Sequence, residues 1–203
     1  GFTNQSLPDT TLFYGYIDNV NRIFSDDSPV GDFESSSHLI NATYSGLPYG
    51  KLTAYGYLLD FDETVALALS SKTFGLRFKG DAEVQEGLKL LYTAEYARQS
   101  DHGDNPTDYS ADYYTLEGGA GYKELTAKLG YEVLGSDNGG TTAFQTPLAT
   151  LHKFNGWADK FLTTPATGLE DAYASIGYKV NGVNEALDGT QFTLSLIHIS
   201  EPT

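Results

Sequence analysis

Apolar and polar positions alternate, every second residue, through eight segments of this chain. Successive side chains of an extended strand point to opposite faces, so this alternation predicts strands with one apolar and one polar side. Residues 10–18 (TTLFYGYID) put Leu12, Tyr14 and Tyr16 on the apolar face, residues 37–44 (SHLINATY) put Ile40, Ala42 and Tyr44 there, and residues 52–61 (LTAYGYLLDF) put Tyr55, Tyr57, Leu59 and Phe61 there. Residues 72–79 set Phe74, Leu76 and Phe78 against Gly75, Arg77 and Lys79. Residues 88–99 set Leu90, Tyr92, Ala94 and Tyr96 against Thr93, Glu95 and Ala97. Residues 108–122 carry Tyr114, Leu116, Gly118, Ala120 and Tyr122 opposite Thr115, Glu117 and Gly119. Residues 125–134 oppose Leu125, Ala127, Leu129, Tyr131 and Val133 to Thr126, Lys128, Gly130 and Glu132, and residues 170–179 oppose Ala172, Ala174, Ile176 and Tyr178 to Asp171, Ser175 and Lys179.

The connections between these segments alternate in length. Short links fall at 45–51, 80–87, 123–124 and 181–183, and long ones at 19–36, 62–71, 100–107 and 135–169. Outer-membrane barrels have short periplasmic turns and long external loops, whereas a soluble sandwich has no reason to keep that order. Tyr14, Tyr44, Tyr92, Tyr122, Tyr131 and Tyr178 lie near segment ends on the apolar face, where the water-lipid boundaries of a barrel would be. The fold expected is all-β: an antiparallel transmembrane barrel fragment, with these segments as part of a larger barrel.

Composition narrows the partners. Acidic residues outnumber basic ones 27 to 12, for a net charge of -15, which excludes nucleic acid because phosphates need a basic footprint. No run approaches the roughly 20 apolar residues of a membrane helix. With Cys 0 and Met 0, disulfides, thiolate metal sites and cysteine nucleophiles are excluded. Gly1 and Phe2 are neither a start nor a signal peptide, so targeting information is missing. Residues 194–203 (LSLIHISEPT) look like a translated sequencing adapter, which leaves 1–193 as the barrel domain and gives the final ten residues no expected structural partner.

Several stretches resemble the alginate-export-like family of Gram-negative outer-membrane porins: residues 12–24 (LFYGYIDNVNRIF), 26–44 (DDSPVGDFESSSHLINATY), 95–114 (EYARQSDHGDNPTDYSADYY), 131–140 (YEVLGSDNGG) and 144–173 (FQTPLATLHKFNGWADKFLTTPATGLEDAY). The resemblance implies a large antiparallel barrel in the bacterial outer membrane that passes solutes or an anionic saccharide such as alginate, in contact with lipid and lipopolysaccharide. Function must still be argued from the site.

If the apolar faces look out to lipid, then Arg77, Lys79, Glu95, Glu117, Lys128, Glu132, Asp171 and Lys179 look inward as pore-lining candidates. Their signs are mixed, where a conduit for a polyanion would show an unbroken basic track; pairing across strands is the plainer role for most of them. Residues 143–168 are too long for a passive connection. Leu148, Leu151, Phe154, Trp157 and Phe161 recur there at steps of three and four, which predicts a short helix with an apolar stripe. Phe144, Lys153, Asp159 and Lys160 complete the candidate constriction loop, whose alternative is an external cap.

Asp26, Asp27, Asp32 and Glu34, and again Asp101, Asp104 and Asp108, make the outer loops acidic, but without the ligand spacing of a calcium loop. His38, His102, His152 and His198 form no HExxH, and no GxSxG, Walker A or dinucleotide motif occurs, so neither a catalytic residue nor a metal or other cofactor is expected. A receptor or adhesin barrel with a plugged lumen, and a soluble ligand-binding barrel, are the competing readings.

Overall fold

The computed structural model describes residues 1–24, 28, 30–149, 161, 163–182, 184 and 187–200. Ten strands follow one another: β1 (Phe2–Asn4), β2 (Thr10–Asn21), β3 (Asp32–Leu47), β4 (Gly50–Leu59), β5 (Ser71–Gln85), β6 (Leu88–Asp101), β7 (Ser110–Tyr122), β8 (Leu125–Leu134), β9 (Leu169–Lys179) and β10 (Gln191–Ser200). Each pairs with its sequence neighbour, so the order across the sheet is the order along the chain. The pairings are antiparallel throughout. Eight of these strands, β2 to β9, are the segments that alternation marks out; β1 and β10 are additional. Among the described residues the single helical element is the 3-10 turn Leu67–Leu69, and no helix is long and apolar enough to cross a membrane.

Register assigns every side chain to a face. Directly opposite residues share a side, so the chain of pairs Leu76 with Tyr96, Tyr96 with Tyr114 and Tyr114 with Val133 runs along one face. Leu129 opposite both Gly118 and Ala174 continues it. This face is open: Leu129 is 68% exposed, Leu116 61% and Phe74 57%. From the row of Tyr96 to the row of Leu88 the strand advances about 26 Å, or about 20 Å measured across a bilayer at barrel tilt.

The opposite, polar face is the covered one, where Gln99 is 2% exposed and Thr93 7%. Two buried clusters sit on it near the long connections. One gathers Ala97, Tyr109, Ala111, Leu134, Phe144 and Leu169, and the other Phe33, Leu59, Phe61 and Ala66.

Strand β4 corrects one expectation. The pairs Ala42 with Ala54 and Ala54 with Leu76 put Leu52, Ala54, Gly56 and Leu58 on the apolar outer face. Tyr55, Tyr57 and Leu59 therefore point inward, and Phe61 just beyond them is buried in the inner cluster. The segment LTAYGYLLDF is apolar on both faces, so alternation alone could not choose between them. The choice is made at the β3–β4 turn, where an extra residue between the pairs Tyr44–Leu52 and Leu47–Gly50 shifts the register by one and exchanges the faces.

Residues 194–200 do not lack a structural partner. Leu194, Leu196 and His198 of β10 stand opposite Ile176, Ala174 and Ala172 of β9. The physical reason is plain: LSLIHIS is itself strand-forming, and the far edge of β9 offers a row of unpaired backbone groups that any such segment can satisfy. Asp32, Glu34 and Asp101, expected in loops, belong to β3 and β6. Asp26, Asp27, Leu151, His152, Lys153, Phe154, Trp157, Asp159 and Lys160 lie outside the described residues.

Candidate pore-lining wall

Alternation gathers charged and hydrogen-bonding residues of β5 to β9 on one face, among glycines and alanines, and register then brings these residues side by side. Arg77 stands directly opposite Glu95, and its Nη1 lies 2.9 Å from Glu95 Oε2. Tyr55, two strands from Glu95, donates its hydroxyl to Glu95 Oε1 at 2.7 Å. To get there its ring crosses Gly75, its direct register partner, where any Cβ would overlap the ring.

The same arrangement recurs in mirror order. Lys128 Nζ donates to Glu117 Oε1 at 3.0 Å, and Tyr173 donates its hydroxyl to Glu117 Oε2 at 2.8 Å. The Tyr173 ring crosses Gly130, again its register partner and again with no room for a Cβ. The two carboxylates are largely shielded, with side-chain exposures of 9% for Glu95 and 18% for Glu117, while Arg77 and Lys128 stay partly exposed, so these charge-assisted bonds are stronger than those of a fully solvated pair.

In the same row as Arg77 and Glu95, Glu132 accepts the Tyr113 hydroxyl at 2.6 Å and faces Asp171 across the β8–β9 pairing. Asp171 is 6% exposed, and its Oδ1 is buried without a hydrogen-bond partner. Lys79 and Lys179 share the inner face but lie toward the short-turn end, Lys79 opposite Lys51 and Lys179 opposite Gln191. Six of the residues singled out by alternation, Arg77, Glu95, Glu117, Lys128, Glu132 and Asp171, thus come together on five adjacent strands. Alternation misses Tyr55, Tyr113, Tyr173 and Gln99. Tyr173 had a legible signal, since it falls on the polar side of its strand between Asp171 and Ser175.

The long connection between β8 and β9 is tied to the inner face at its beginning. Gln99 Oε1 accepts the Gln145 backbone N–H at 2.7 Å, and Gln99 Nε2 donates to the Gln145 carbonyl at 2.9 Å and to Thr73 Oγ1 at 3.0 Å. Tyr109 donates its hydroxyl to Gln99 Oε1 at 3.0 Å. Phe144 packs on Tyr113 with ring centroids 5.3 Å apart, and Phe161, near the other end, packs on the same cluster. Leu148 is exposed instead. Before Phe144 the chain makes a tight turn: Asp137 Oδ1 accepts the N–H groups of Thr141 and Thr142 at 2.7 and 3.1 Å, and Oδ2 accepts the Thr141 hydroxyl at 2.9 Å. These bonds, the Thr141 N–H foremost, hold the Asp137 carboxyl down at about 2.

No family model matches the chain, and no curated protein matches it. Solved structures do. A double variant of OccD1 (OprD) is similar with a TM-score of 0.66 and 12% identity over 97% of this chain and 47% of that one. OpdL of Pseudomonas aeruginosa is similar with a TM-score of 0.66 and 16% identity, over 96% and 52%. OprD of the same organism is similar with a TM-score of 0.62 and 14% identity, over 97% and 48%. The fold is that of part of an OprD/Occ outer-membrane porin barrel. The chain spans about half the length of these structures, and the likeness is to the OprD/Occ porins and not specifically to alginate-export-like proteins.

Proposed function

We propose that this chain forms part of the wall of a solute channel in the bacterial outer membrane. The observation that carries the reading is the polarity of the sheet, which is apolar and exposed on one face and charged, hydrogen-bonded and covered on the other. In water an apolar face of this extent would need a partner; in a bilayer it is the lipid-facing band, which lipid and, at the outer leaflet, lipopolysaccharide would cover. A soluble ligand-binding barrel has the reverse polarity.

The inward residues Arg77, Lys79, Glu95, Glu117, Lys128, Glu132, Asp171 and Lys179 then line the lumen. Carboxylates interrupt the cations along β5 to β9, so small polar solutes suit this wall better than a polyanion such as alginate. The clamp of Gln99 on Gln145, with Phe144 and Phe161 against the inner cluster, supports a long connection that narrows the pore.

The test uses the full-length protein in a planar bilayer, with assembly checked by heat-modifiable gel mobility. A conducting channel is expected, with higher conductance and weaker selectivity when residues 146–160 are deleted. Assembled protein without conductance would favour the receptor or adhesin reading. Unchanged conductance on deletion would mark the connection as an external cap.

A further inference from the structure

A charge on the lipid face is costly near the bilayer middle and cheap at its boundary. The outer face of β5 and β6 follows that rule, running Leu76, Phe74, Lys72 on one strand and Ala94, Tyr96, Arg98 on the other toward the long connections. Register opposes Phe74 to Arg98 and Lys72 to Ser100, so Lys72 and Arg98 are diagonal neighbours on one side of the sheet, within reach of one ligand. Arg98 stands ten residues along β6 from Leu88, about 33 Å on the strand or about 25 Å across the bilayer at barrel tilt, which is the height of the apolar band. Among the described residues these two are the only cations on this side at the loop end. Arg22 lies over Phe33 of the inner cluster, Arg77 and Lys128 face the lumen, and the other described lysines stand at the short-turn end. Arg98 Nη1 lies 3.3 Å from Asp112 Oδ1, which also accepts the Tyr96 hydroxyl at 2.8 Å. Lys72 has no ion-pair partner among the described residues. Two cations against one carboxylate leave one positive charge at this spot, while the connections above it are acidic, with Asp60, Asp62 and Glu63 before β5 and Asp104 and Asp108 after β6.

We propose that Lys72 and Arg98 bind a phosphate group of lipid A, the anchor of lipopolysaccharide in the outer leaflet, an inference that rests on the outer-membrane barrel of the reading above. The strand ends that carry the long connections are the external ones, so this spot lies at the level of the outer-leaflet headgroups. It faces away from the lumen, which excludes a passing solute as the ligand. Asp112 engages one nitrogen of Arg98, and the remaining guanidinium donors are free to fork onto phosphate oxygens, with the Lys72 ammonium as a second, unpaired point charge. Below the phosphate, acyl chains would lie along Phe74, Leu76 and Leu116, which are exposed on the same face. The acidic connections above repel a phosphate from every neighbouring position, and that repulsion fixes the headgroup at the two cations.

Binding of lipid A to the full-length protein in detergent micelles, read by native mass spectrometry with divalent ions chelated, tests this. Lys72→Gln and Arg98→Gln are each expected to weaken lipid A binding about fivefold, the share of one basic side chain at an anionic membrane surface. Lipid A stripped of its phosphates should bind the parent no better than intact lipid A binds the double variant. Lys123→Gln, at the short-turn end, should leave lipid A binding unchanged. Should Arg98→Gln fail to assemble for want of its Asp112 pair, Lys72→Gln breaks no ion pair and carries the same expectation. Unshifted binding in Lys72→Gln, equal binding of the dephosphorylated lipid, or phosphatidylglycerol held as tightly and with the same sensitivity to both variants would overturn the inference. So would displacement of lipid A by inorganic phosphate, which would mark a site for the free ion. A conducting channel whose lipid A binding ignores both substitutions overturns this inference alone, whereas full-length protein that never enters the outer membrane overturns the channel reading and this one with it.

Discussion

At the scale of single residues, side chains that look equivalent in the sequence separate by what they touch. Glu95, Glu117 and Glu132 all fall on polar faces of alternating strands, and alternation ranks them alike. Among the described residues only the first two form an ion pair, with Arg77 and Lys128, while Glu132 has a tyrosine hydroxyl and, across from it, Asp171, whose Oδ1 has no hydrogen-bond partner. Asp137 is the opposite case, a carboxylate in a loop that reads as solvated and is instead the organiser of a turn. Its folded pKa of about 2 lies below the usual value of about 3.9 for an unfolded aspartate. A depressed carboxyl contributes stability above the unfolded pKa and loses it as pH falls through the folded one. The amide protons of Thr141 and Thr142 should therefore stay protected from exchange down to about pH 4 and lose that protection between about pH 4 and 2. Asp137→Ala should abolish it at neutral pH. Protection that is independent of pH, or unchanged in the alanine variant, would show that the turn holds without the carboxylate.

At the scale of elements, the strands of this chain were legible because lipid on one side and polar groups on the other write alternation into every strand, and β2 to β9 coincide with segments predicted from it. Facing was legible wherever one side is clearly polar. It was not legible in β4, where both sides are apolar and a single extra residue in the β3–β4 turn decides the outcome. The two assignments predict opposite results for neighbouring residues. An arginine on the lipid face near the bilayer middle costs about 2 to 4 kcal/mol, so Ala54→Arg should impair membrane assembly and Thr53→Arg should not. Leu129→Arg and Ile176→Arg should behave like Ala54→Arg, and Thr126→Arg and Ser175→Arg like Thr53→Arg. Heat-modifiable mobility of each variant reads the result, and tolerance at Ala54 with loss at Thr53 would restore the facing that alternation first suggests.

At the scale of the whole molecule, an open sheet leaves two edges, and a transmembrane barrel leaves none. The edge of β9 is covered by β10, much of which lies in residues 194–203, the stretch that reads as adapter. We propose that this stretch is foreign to the natural sequence, since strand propensity alone is enough for a segment to pair on an open edge. An independently sequenced copy of the gene is expected to diverge after Thr193, with a different strand laid on β9; the same codons in that copy would make β10 native. The sequence by itself determined the class of fold, the strands, the alternation of short and long connections and the set of charges facing inward, because each depends on neighbours one or two residues away. Tertiary structure alone decided which of those charges meet, which face of β4 is wet, and that Gln99 holds Gln145 and two tyrosine rings cross glycines of the neighbouring strands. Those outcomes depend on register between strands and on contacts up to 56 residues apart, as between Tyr173 and Glu117, which no local pattern encodes.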